Sequence, residues 1–213
     1  DLLTARKDPR EPIYNFDGFE TEAGVGTPGN AEQAQSTNTL AYPAWLENSA
    51  SSLHLFSKSE LYFIIAEVKA RLGQDAKSDF DTAVRAAMDD WGTAAGSEIS
   101  AADVDAYLNG LADRYAANPL NEILTQKYIA QTRDEQLETY NDIRRCDYVD
   151  GSYPVKMQNP NNTSGSSNRW PLRLPYGDSD VTSNPNVAKV FGSGNEAGMY
   201  IYTNPVWWAG GTN

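Results

Sequence analysis

Cysteine and histidine are almost missing from this sequence: Cys146 and His54 stand alone among 213 residues. One thiol cannot close a disulfide within the chain, and one sulfur makes no zinc site. Basic residues are scarce against acidic ones, 17 Lys and Arg to 29 Asp and Glu, for a net charge of -12. A surface of that sign repels phosphate backbones and anionic lipid, so nucleic acid is not an expected partner. Long apolar runs are missing too. Stretches such as Leu61 to Ala66 are far too short to span a bilayer. No signal peptide is visible. The opening "DLLTARKDPREP" has no Met and reads as a loop already under way, so the native chain is expected to extend upstream.

What the sequence does have is aromatic residues. Twelve Tyr, five Trp and six Phe make up 11% of the chain, within a hydrophobic share of 40%. Disordered chains are poor in such residues, so this one should fold. Its length suits one domain, or one large piece of a bigger protein.

Residues 1–56 show little period. Gly, Pro, Asn, Thr and Ser alternate with spaced aromatics, which predicts loops with short turns or strands. The period then changes. Ser57 and Glu60 fit a capping box, and Leu61, Ile64, Ile65, Val68 and Leu72 follow at helical spacing until Gly73. A second helix is expected from near Asp75 to Gly92, with Ala76, Phe80, Ala83, Val84, Ala87, Met88 and Trp91 inward. The short connection makes the two a hairpin. Ser100 should cap a third helix bearing Val104, Leu108, Leu111 and Tyr115. Asn118-Pro119 should open a fourth with Leu120, Ile123, Leu124 and Tyr128, and Asp134 to Arg145 a fifth with Leu137, Tyr140 and Ile143 inward. Beyond Cys146 the helical signal fades into turn chemistry, with one short helix at "NPNVAKVF". The expected fold is mainly α: a helical core over 57–145, flanked by loop-rich segments 1–56 and 146–213.

Several segments, in order, resemble the SusD/RagB family of Gram-negative outer-membrane lipoproteins. "SELYFIIAEVKARLGQDAKSDFDTAVRAAMDDWG" resembles its C-terminal helical hairpin, and "ILTQKYIAQTRDEQLETYNDIRRCDYVDGSYP" its next helices and Arg-Arg turn. "RWPLRLPYGDSDVTSNPNV" resembles its Pro-Arg-Arg-Leu-Pro-Tyr-Pro segment, although Leu172 replaces the first Arg and Gly177 the last Pro. "PVWWAGG" resembles its closing Trp-Trp, and "ARKDPREPIY" its Asp-Pro-Arg stretch. The resemblance implies that residues 1–213 are the C-terminal part of one SusD-like domain, with tetratricopeptide-like hairpins. It also implies a non-catalytic protein that holds an oligosaccharide or polysaccharide at the cell surface for a TonB-dependent, SusC-like transporter. The implied lipid anchor sits on a residue upstream.

Sugars offer flat C–H faces to aromatic rings and hydroxyl rims to Asn, Asp, Gln and Arg. The segment "NTLAYPAWLENSASS" supplies Trp45 and Tyr42 for stacking and Asn48 for hydroxyl contacts. Family members can draw glycan-contacting aromatics from loops just before this hairpin. Trp45 could instead plug the core. Trp170, Tyr176, Trp207 and Trp208 read as packed residues, and Arg144 and Arg145 as helix-end groups serving the dipole and carbonyls. Two other function classes stay open. A tetratricopeptide-type interaction scaffold would bind protein in its grooves, and a glycoside-active enzyme would need two carboxylates across a cleft. Asp89-Asp90 point to different sides of a helix, "GVGTPG" lacks the Lys of a phosphate loop, and His54 has no nucleophile motif around it. No cofactor motif appears. Calcium near "DGSYP" or "YGDSD" stays open, although neither has an EF-hand pattern.

Overall fold

The computed structural model describes residues 2–14, 55–96, 98–155 and 171–211. Trp45, Tyr42, Asn48, His54 and Trp170 lie outside them. Among the described residues the secondary structure is helical and no strand occurs. Among the described residues no helix is long and apolar enough to cross a membrane.

After a 3-10 turn at Thr4–Arg6, a one-turn helix α1 covers Glu11–Tyr14. The central hairpin is α2, Lys58–Arg71, and α3, Lys77–Ala95. Ser57 caps α2, its Oγ accepting from the Glu60 N–H at 2.9 Å. The capping box is not reciprocal, because Glu135 rather than Glu60 accepts the Ser57 N–H, at 3.1 Å. Gly73 ends α2 at φ 68°, with the Gln74 and Gly73 N–H groups returning to the carbonyls of Lys69 and Ala70. This Schellman ending requires the left-handed backbone that glycine tolerates. Helix α3 runs through Gly92 to Ala95 instead of stopping there, and Gly96 terminates it at φ 66°.

Next come α4, Ala101–Gly110, capped by Ser100, and the short α5, Ala112–Ala117. Helix α6, Pro119–Gln131, starts on the Asn118 cap, and α7 spans Gln136–Val149. Arg144 and Arg145 therefore lie inside a helix, not at its end. The C-terminal segment holds α8, Asp178–Ser183, α9, Pro185–Phe191, α10, Tyr200–Thr203, and a 3-10 turn at Trp207–Ala209.

One apolar cluster joins α2, α3, α4 and α6 through Phe63, Phe80, Val84, Met88, Leu111 and Ile123, all with 1% exposure or less. Ala66, Ala76, Ala83 and Ala87 line the same contact and let the backbones approach. Burying each large side chain contributes about 1.5–3 kcal/mol. The inward face of α3 is the expected one. That of α2 is not: Leu61, Ile64, Val68 and Leu72 are 38–66% exposed, while Phe63, Ala66 and the polar Ser59, Glu60 and Glu67 face inward. The same correction applies to α7. Leu137 is 61% exposed, and Thr139, Asp142 and Cys146 are the buried positions.

Residues 2–14 are strapped onto the helices by charge. Arg10 is fully buried, with Nε and Nη2 donating to the Asp8 carboxylate at 2.8 and 2.6 Å. Its Nη2 also donates to Gln126 Oε1, and the Tyr107 hydroxyl donates to Asp8 at 2.6 Å. Trp91 and Tyr107 present their rings to the guanidinium, each 5.8 Å away. Burial pushes the Asp8 carboxyl up, but Arg10 and the hydrogen bonds outweigh it and hold it below its ordinary value.

Candidate functional site

Trp45, Tyr42 and Asn48 fall outside the described residues. Among the described residues, chemistry can be sought where polar and aromatic groups converge.

The largest charge cluster is structural. Glu67 on α2 accepts from Arg71 at 2.8 Å and from Arg145 on α7 at 2.6 Å. Arg145 also meets Asp142 at 2.9 Å, Asp142 meets Lys127 on α6 at 2.6 Å, and Arg71 meets Asp150 at 2.8 Å. Six charges thus alternate in sign across three helices. Asp150, within "DGSYP", is occupied by Arg71, which holds its carboxyl below the ordinary value. Cys146 sits against this cluster, its thiol pushed up to about 11 by burial.

A second cluster holds two carboxylates. Glu60 and Glu135 are both nearly buried. Desolvation, then repulsion from Glu135, raises the Glu60 carboxyl to about 7. A raised carboxyl beside a second one resembles the acid pair of a glycosidase. However, the space beside Ser57, Trp91 and Glu135 is only about 10 Å³. No sugar ring fits there.

Among the described residues, clefts with room for a ligand include three. One of about 490 Å³ lies between α3 and the segment leading into α4, lined by Arg85, Asp89, Glu98 and Ile99. It has no aromatic wall, and Arg85 is tied to Asp105. Another, of about 420 Å³, surrounds the hairpin turn at Gly73–Ala76, with Tyr115 as its one aromatic.

The third, about 200 Å³, lies between α7 and the C-terminal segment. Tyr140, Arg144 and Tyr148 follow at i, i+4 and i+8, so they stack along one face of α7. The Tyr140 hydroxyl donates to the Pro171 carbonyl at 2.7 Å, which pins the first wall. The Leu172 N–H donates to the Ile201 carbonyl at 2.7 Å, joining the two C-terminal stretches. Trp208 closes the other side, edge-to-face with Tyr148 at 6.4 Å and 81°. Arg144 lies over both walls, its guanidinium carbon 4.9 Å from the Tyr140 centroid and 5.0 Å from that of Trp208. Asp147 also lines the cleft, and desolvation raises its carboxyl.

An aromatic knot behind the cleft keeps the C-terminal segment in place. Tyr200 is buried, its hydroxyl accepts the Tyr176 N–H at 2.6 Å, and its ring packs on Tyr176 and Phe191. Arg173 lies over Tyr176 and Tyr200. Tyr176 and Trp208 are therefore packed as expected, whereas Trp207 is 73% exposed. Sequence reasoning treated Arg144 and Trp208 as purely structural. The i, i+4, i+8 run of Tyr, Arg and Tyr was the available signal for the cleft.

Internal ion pairs thus tie the helices together, and an aromatic-walled cleft lies on one edge. The family follows from comparison. The SusD-like family model, described as starch-binding and associating with the outer membrane, matches residues 1–177. The crystal structure of a SusD/RagB family protein from Bacteroides thetaiotaomicron is 34% identical with a TM-score of 0.66, over 84% of this chain and 40% of that one. The chain belongs to the SusD/RagB-like family. It spans less than half the length of that relative. A comparison with curated proteins finds no match.

Proposed function

We propose that this chain is the C-terminal part of a non-catalytic cell-surface protein that binds oligosaccharide and passes it to a TonB-dependent transporter of the outer membrane. The observation that carries the reading is membership of a family described as starch-binding and associated with the outer membrane. The helical core supports it, offering a rigid base on which loop aromatics can be displayed. Trp45 and Tyr42 are the proposed stacking residues and Asn48 the hydroxyl partner. A lipid on an upstream residue is the proposed anchor; Cys146, fully buried, cannot serve. Binding of the protein to a glycan array, repeated with Trp45→Ala, tests the site. A selective loss of signal without change in thermal unfolding is expected, and unchanged affinity removes the assignment. Release of free sugar from any polysaccharide would overturn the non-catalytic reading.

One observation favours a second reading, a protein-interaction scaffold. Leu61, Ile64, Val68 and Leu72 form an exposed apolar stripe along α2. A protein that binds no glycan but captures the transporter through this stripe, with capture lost in Ile64→Glu, would support that alternative.

A further inference from the structure

The arginines of the described residues divide into two kinds. Arg6, Arg10, Arg71, Arg85, Arg133 and Arg145 each meet a carboxylate within 4.0 Å. Arg114, Arg173 and Arg144 do not, although acidic residues outnumber basic ones by 29 to 17: Arg114 donates to the Ala5 carbonyl, Arg173 lies over Tyr176 and Tyr200 in the aromatic knot, and Arg144 lines the cleft. Asp147, one turn along α7, forms no ion pair with Arg144 among the described residues. Instead the guanidinium lies over the rings of Tyr140 and Trp208, and no described residue accepts a hydrogen bond from it. The two ring contacts hold the guanidinium beside the cleft and leave its N–H donors for whatever enters there.

We propose that this cleft between α7 and the C-terminal segment is a subsite for one neutral pyranose ring of an oligosaccharide, separate from the Trp45 site. The proposal rests on the glycan-binding reading above. Four features support a sugar. The rings of Tyr148 and Trp208 meet edge-to-face, giving an aromatic corner for C–H groups. Arg144 supplies fixed donors. Asp147 supplies an acceptor for hydroxyl protons. The volume, about 200 Å³, is on the scale of a single sugar ring rather than a chain of them. Neutrality follows from charge: within the cleft Asp147 offsets Arg144, and the whole protein carries a net charge of -12, so an anionic sugar would meet long-range repulsion with no net local gain. A peptide would need main-chain partners along its length, and the cleft offers side chains around one small volume.

Tryptophan fluorescence titration and calorimetry with neutral trisaccharides (maltotriose, cellotriose, xylotriose and mannotriose) and with trigalacturonate test the assignment. At least one neutral sugar should bind, trigalacturonate should bind more weakly, and Arg144→Gln should lower the neutral affinity about tenfold. Arg144→Lys, which retains charge without the planar fork, should restore part of it. Trp208→Ala should lower it as well. An unfolding midpoint in Arg144→Gln close to that of the parent keeps a folding defect from mimicking the result. Neutral-sugar affinity that survives Arg144→Gln but disappears in Trp45→Ala overturns this subsite and leaves the glycan-binding reading standing. Preference for trigalacturonate overturns the neutral assignment. Absence of binding to every sugar overturns both readings.

Discussion

Two neighbouring arginines on helix α7 have opposite surroundings. Arg145 turns inward and is bound on both sides by Glu67 and Asp142. Arg144 turns outward and is held by rings. The first arrangement holds the guanidinium in two ion pairs and ties α7 to α2. The second fixes a guanidinium in space while leaving its donors unspent. Ion pairs in this protein tie its helices together, whereas the stacked Arg144, unlike the stacked Arg173 of the aromatic knot, borders an open cleft.

The inner side should break first. Asp8→Ala would strand the fully buried Arg10, and urea unfolding should show a loss of roughly 3–5 kcal/mol. Glu67→Ala removes the centre of the α2–α7 network. Its two arginines reach solvent in part, so the expected loss is smaller, about 2 kcal/mol. On the outer side, Arg144→Ala forfeits two ring contacts and should cost about 1 kcal/mol in the same assay. A loss for Arg144→Ala as large as that for Glu67→Ala would erase the distinction.

Two further tests read a slope and a rate. Glu60 is raised from an ordinary 4.5 to about 7, by desolvation and then by Glu135, with Glu138 adding to the rise and Lys127 opposing it. The folded state therefore holds the proton more tightly than the unfolded chain. Its contribution to stability is fully present below pH 4.5 and is lost as pH rises through 7. Glu60→Gln should flatten that fall in unfolding free energy between pH 4.5 and 7, and an unaltered slope would mean that Glu60 titrates normally. Cys146 is buried, with its thiol pushed up to about 11. Alkylation of the native protein at pH 8 should be much slower than in urea, as followed by mass spectrometry.

Much of the core was readable from residue spacing. The inward run of α3 from Ala76 to Trp91 alternates as a helix buried along one side must, and the Ser57, Ser100 and Asn118 caps lie where their side chains accept backbone N–H groups. Helix α2 was harder for a physical reason. Its apolar residues mark a stripe, but the face that packs includes Glu60 and Glu67, whose burial depends on partners far along the chain. Period reports that a helix has two sides without saying which neighbour each will meet. Gly92 read as a stop because glycine usually weakens a helix; tertiary packing overrides that here, and Gly92 is buried. The cleft was hidden for a related reason. Arg144 and Trp208 are far apart in sequence, and nothing in the Trp-Trp pair says that one ring covers an arginine while the other faces water.

The most direct test compares Arg144→Gln with Arg145→Gln in one experiment, measuring urea unfolding and neutral-trisaccharide affinity on both. The predicted result is a crossing: Arg145→Gln lowers stability and leaves the affinity of the folded protein intact, while Arg144→Gln leaves stability nearly intact and weakens binding about tenfold. Equal effects of the two variants on both measurements would contradict the account.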